Sequence, residues 1–180
     1  MVWYWQTSRK KNGWYLVALF FAWASNVFFL ATERWLVCGI VAFMVYRILA
    51  IVVVVKLIDK ILWLPFAIAT LPFLFIFSCL INLTLTPDMP GFYPAVINGL
   101  LIAAMAGIAL SNYVLNDNKA NSWLAISILL FIVLVFLFMI QTFYLSNVVF
   151  KPLSAFIFAF AHYTFYRFVL EYEQAPLYDN

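Results

Sequence analysis

The chain has 180 residues, of which 68% are hydrophobic and only 9% charged, and its mean hydropathy is +1.05. So little polar surface cannot cover a water-soluble domain, which excludes a soluble enzyme and points to an all-α, polytopic transmembrane helical bundle. The net charge of +3 comes with no basic run suited to nucleic acid and no Cys or His spacing suited to a metal, so neither partner is expected, nor any cofactor.

A hydrocarbon core of about 30 Å needs about 20 helical residues. Six runs qualify, roughly 14–31, 35–55, 61–83, 93–115, 122–144 and 152–170. They define a single transmembrane domain over 14–170, between an N-terminal segment 1–13 and a tail 171–180. The connections "TER", "KLIDK", "TLTPDMPG", "NDNKAN" and "LSNVVFK" are short, so neighbours in sequence should pack antiparallel. No connection can hold a soluble domain, and any site must lie inside the bundle or at the membrane surface.

Lys and Arg set the orientation. Arg9, Lys10, Lys11, Lys56, Lys60, Lys119 and Arg167 fall on the side that carries both termini, whereas only Arg34 and Lys151 fall on the other. Both termini are therefore expected to be cytoplasmic, in a multi-pass cell-membrane protein. The start, "SRKKNGWYLVALFFAWAS", has the outline of a leader peptide, but its apolar run continues through "SNVFFLA" and is long enough to span.

The first run carries Ser25 and Asn26 towards its far end. The second carries Arg47 within "FMVYRILAIVVVV". Apolar residues contribute about −0.3 to −0.6 kcal/mol each at a helix centre, against about +2.5 to +3.5 for one Arg, so the run still inserts and takes Arg47 to mid-depth. There the guanidinium must face the bundle or a wet cavity. Gly39, Ala42, Phe43, Tyr46, Arg47 and Ala50 share one helical face whose small residues would admit a neighbour. Arg47 either binds an anionic headgroup or is a structural link tied to carbonyls and polar neighbours.

The third run holds Asn82, the fourth Asn98 and the fifth Gln141. With Asn26 these amides lie at a similar depth, where they line an outward-opening polar pocket or bond one helix to another. The fourth run also shows Gly99, Ala103, Gly107 and Ser111 at four-residue spacing, a stripe for close helix packing. In the sixth run, "FAFAHYTFYRF", His162 is either a packing residue or the chain's first candidate for a catalytic acid. Cys38 and Cys79 read as small apolar residues in the bilayer. All seven carboxylates, Glu33, Asp59, Asp88, Asp117, Glu171, Glu173 and Asp179, fall in connections or the tail, so a membrane-embedded acid pair is missing.

The stretch "WYLVALFFAWASNVFFLATERWLVCGIVAFMVYRILAIVVVVK" resembles the lysoplasmalogenase-like (YhhN) family of integral membrane proteins. In that family a Gly-Asp pair precedes a short loop, and the next helix has Gly, then Phe four later, then His four after that. Here Ser25-Asn26, "TER", Gly39, Phe43 and Arg47 keep the spacing with different polar groups. "NGLLIAAMAGIAL" is similar to the family's Met- and Ala-containing helix. "LFMIQTFYLSNVVF" resembles its Phe-x-x-Ser-Asp stretch, with Gln141-Thr142 at the Ser-Asp place, and Ala161-His162 stand where Ala-Gln is usual. The likeness covers about residues 14–170, and "MVWYWQTS" looks like the tail of a further helix.

The resemblance implies a bundle with a lipid cavity and, for the family's enzymes, hydrolysis of the lysoplasmalogen vinyl ether. That chemistry calls for an acid at the enol ether and a base for water. The acidic positions of the two motifs are Asn26 and Gln141 or Thr142 here, and an amide orients water without exchanging its proton. The leading expectation is therefore a lipid-binding, catalytically degenerate member, with Arg47, Asn26, Gln141 and Asn98 at a lysophospholipid headgroup. The alternatives are an active hydrolase using His162 as acid, and a non-enzymatic channel or carrier.

Overall fold

The computed structural model describes residues 2–8, 11–31, 33–58, 60–116, 118–144 and 150–174. The described residues form seven α-helices: α1 Val2–Thr7, α2 Gly13–Ala31, α3 Leu36–Leu57, α4 Trp63–Thr84, α5 Phe92–Leu115, α6 Lys119–Met139 and α7 Phe150–Gln174. A 3-10 turn, Glu33–Trp35, leads into α3, and a π-helical turn, Ile140–Tyr144, extends α6. Helices α3 to α7 each hold a stretch long and apolar enough to cross a membrane. The shorter apolar stretch Gly13–Phe29 of α2 lies along α3. The chain is an all-α polytopic membrane protein.

The helix ends follow from local chemistry. Asn118 caps α6, its Oδ1 accepting the Asn121 N–H at 2.7 Å. Before α5 the chain turns through Gly91 at φ 94°, a left-handed conformation that glycine adopts without a side-chain clash. Pro94 then sits in the first turn of α5, where a missing N–H leaves no helical bond unmade.

Packing runs α2 on α3, α3 on α5, α5 on α6 and α6 on α7, with α4 laid against α5. Although "KLIDK" is short, α3 pairs with α5 more than with α4. Side chains return α7 to the start of the ring: Phe165 meets Tyr15 of α2 at 5.8 Å between centroids, and His162 meets Tyr46 of α3 at 5.1 Å. The core fills this ring with Tyr15, Tyr46, Ile102, Met105, Leu124, Ile128, Phe131, Phe165 and Phe168, all buried.

The small-residue stripe of α5 does what its spacing suggests. Gly99, Ala103, Gly107 and Ser111 are buried. A Cβ on Gly99 would stand 3.3 Å from Ile81, and one on Gly107 would collide with Thr70 and come within 3.0 Å of the Phe66 carbonyl oxygen. The backbones of α4 and α5 approach closely there. Gly39 serves α2 in the same way, since a Cβ there would lie 2.6 Å from the Phe29 ring.

At the end that holds both termini, α7 runs on to Gln174 and clips other elements to itself. Glu173 accepts hydrogen bonds from the Tyr4 hydroxyl and the Ser8 hydroxyl, both 2.5 Å. Glu171 pairs with Lys119 and Arg167, each at 3.0 Å, and the Tyr172 hydroxyl donates to Asn121 Oδ1 at 3.0 Å. These carboxylates belong to a helix that ties α1 and α6 to α7.

Candidate lipid cavity

The opposite end of the ring encloses a cavity of about 520 Å³. Its wall takes residues from every long helix: Ser25, Asn26 and Phe29 of α2; Leu36, Ile40 and Phe43 of α3; Phe77, Leu80 and Ile81 of α4; Ala95, Asn98 and Gly99 of α5; Leu134, Val135, Phe138 and Met139 of α6; and Lys151, Ser154, Ala155 and Phe158 of α7. The π turn adds Gln141 and Thr142. Thr142, Lys151 and Ala155 are exposed and mark the mouth.

Three of the sequence-selected residues, Asn26, Asn98 and Gln141, come together in this wall. They arrive from α2, α5 and the π turn because they lie at one depth on inward faces. Asn82, expected with them, is exposed on α4 and does not join. It sits one residue past the lining Ile81, and the helical step of about 100° turns it towards lipid.

The polar part of the wall is only partly satisfied. The Asn26 amide nitrogen donates to the Ala22 carbonyl at 2.7 Å, which leaves its oxygen for the cavity. Asn98 Oδ1, Ser25 Oγ and Ser154 Oγ are buried and have no hydrogen-bond partner among the described residues. Such groups cost free energy unless water or a ligand completes them. Most of the remaining wall is apolar, five phenylalanines among them. The cavity is amphipathic, with a mouth at the start of α7.

Arg47 and His162 do not line it. Each stands one helical turn behind a phenylalanine that does, Arg47 behind Phe43 and His162 behind Phe158. The guanidinium lies 4.9 Å from the centroid of the Phe43 ring. The His162 ring is enclosed by Phe158 at 4.3 Å, Tyr46 at 5.1 Å and Phe131 at 5.1 Å. Arg47 is 1% exposed, so the inward face predicted for it holds. Its three nitrogens, the Tyr46 hydroxyl and both His162 nitrogens are buried without a partner among the described residues. Among the described residues no carbonyl accepts from the guanidinium, which meets the face of the Phe43 ring.

Two polar cavity residues carried no site signal in the sequence. Lys151 counted only as an orientation charge, and Ser154 stood unremarked three residues later. Their shared spacing with Ala155 and Phe158 on one face of α7 is the pattern that would have linked them.

Comparison with known proteins gives one family. The YhhN family model matches residues 1–169. No curated protein and no solved structure matches the chain.

Proposed function

The chain belongs to the YhhN family of lysoplasmalogenase-like membrane proteins, and from that premise we propose that it holds a single-chain lipid in the cavity and has lost vinyl ether hydrolysis. The observation that carries this reading is the wall itself. It is amphipathic and of a size for one drug-sized ligand. The two motif positions that the family resemblance makes acidic line the cavity, yet they are Asn26 and Gln141 or Thr142 here. A carboxylate accepts and returns a proton, whereas these groups only orient what is bound.

In this arrangement the acyl chain lies among Phe29, Phe77, Phe138 and Phe158. The head meets Asn26, Asn98 and Gln141 near the mouth. Arg47 acts from behind Phe43 through its charge, which a low-dielectric interior screens weakly. His162 does not line the cavity and packs against Phe158, which does. Both termini lie in the cytoplasm of a cell-membrane protein, as the Lys and Arg distribution favours.

The test is purification of the full chain in mild detergent, native mass spectrometry, and an assay of aldehyde release from a lysoplasmalogen. One retained single-chain lipid per chain with aldehyde release at background is the expected result. No retained lipid would refute the binding reading. Release that disappears in His162→Gln would replace the degenerate site by an active one.

A further inference from the structure

The cavity's charges are one-sided. Among its described lining residues the only ionisable group is Lys151, at the mouth. Lys151 forms no ion pair among the described residues. The next cation inward is Arg47, buried behind Phe43 with none of its nitrogens partnered. No described carboxylate lines the wall. Asp88 is exposed in the α4–α5 connection at the cavity's end without lining the wall, and Glu171 and Glu173 are engaged at the other end of the bundle.

The neutral groups are mixed: the Asn26 and Asn98 amide oxygens only accept, whereas two hydroxyls can donate. The Ser25 and Ser154 hydroxyls are buried, face the cavity and lack partners among the described residues. Each hydroxyl can turn its proton towards a negative oxygen. A zwitterionic head brings a quaternary or primary ammonium that needs an anion or a rich aromatic cage. The wall supplies phenylalanine rings, weaker for cations than Trp, and its nearest charges repel one. A head with net negative charge meets an ammonium, hydroxyl donors and an uncompensated guanidinium field.

Building on the lipid-binding reading, we propose that the cavity selects single-chain amphiphiles whose head carries net negative charge, with Lys151 as the residue that decides against zwitterionic heads. The ligand class comprises a fatty carboxylate or a lysophospholipid bearing an uncharged polar substituent on its phosphate. The two share the anionic oxygens that Lys151, Ser25 and Ser154 would hold, and the phosphate's larger head separates them experimentally.

The experiment offers the full chain in detergent an equimolar pair, lysophosphatidylglycerol and lysophosphatidylcholine of one chain length, and reads occupancy by native mass spectrometry. A second arm replaces the first lipid by palmitate. The anionic lipid should be favoured about two- to fivefold, the range of a partly exposed charge pair, and high salt should narrow the gap. In Lys151→Gln the preference should fall to near unity. Lys151 is exposed, so this variant keeps the fold. Lys119→Gln, at the far end, should keep the preference. Preference for lysophosphatidylglycerol over palmitate assigns the site to a phosphate head, and the reverse assigns it to a carboxylate. Equal occupancy in the unaltered chain, or a preference that survives Lys151→Gln, overturns the selectivity while leaving lipid binding intact. Failure of both lipids to bind overturns the two together.

Discussion

Phe158 stands between the cavity and His162: its ring lines the wall and lies 4.3 Å, centroid to centroid, from the imidazole. The chain has a single histidine, so its reactivity is easily followed. Diethylpyrocarbonate should modify the unaltered protein slowly and Phe158→Ala quickly, read as one added group by mass spectrometry. Fast modification of the unaltered chain would mean that the imidazole is reachable without removing Phe158.

The guanidinium of Arg47 is buried without hydrogen-bond partners among the described residues. A buried charge lacking a partner opposes folding, and an apolar chain of similar length relieves that cost. Arg47→Met should keep or raise the melting temperature, by about 2–4 °C for each kcal/mol recovered in a chain of this size. A large fall in melting temperature would show that Arg47 is a structural link.

Gly107 has no room for a side chain beside Thr70 and the Phe66 carbonyl. Gly107→Ala should destabilise the α4–α5 pair by about 1–3 kcal/mol. Thr70→Ala removes the hydroxyl that the new methyl would strike. The double variant should therefore lose less than the sum of the two single ones, as measured by thermal unfolding in detergent.

The Tyr4 phenol is buried and donates to Glu173, and burial first, then this hydrogen bond, pushes its pKa up to about 12. The folded state thus holds the proton more tightly than the unfolded chain, whose tyrosine titrates near 10. Stability from this group is complete below about pH 10 and is lost as pH rises towards 12. Compared with Tyr4→Phe, the unaltered chain should lose additional stability across that window. Parallel pH curves for the two proteins would contradict the hydrogen-bonded assignment.

The architecture was readable because membrane helices announce themselves by apolar length, and Asn26, Asn98 and Gln141 shared a depth that the sequence displays. Depth along a helix is a linear quantity, whereas the direction a residue faces is not always encoded. The third run is apolar all round, which leaves no stripe to say that Asn82 points outward. The second run did reveal the inward face of Arg47 through Gly39, Ala42 and Ala50. It did not reveal that Phe43 would stand in front of it, because that order depends on side chains from other helices. The clasp of Glu173 with Tyr4 joins residues 169 apart, and nothing local marks such a pair.

Pro72 lies within α4 and removes the backbone bond that Ile68 would otherwise receive. The cavity residues Phe77, Leu80 and Ile81 all come after it, on a helix whose apolar window is only 17% buried. One flank of the compartment is thus a softened rod immersed in acyl chains. Lateral pressure and bilayer thickness then act directly on that flank, which makes the surrounding membrane a determinant of how much space the cavity encloses.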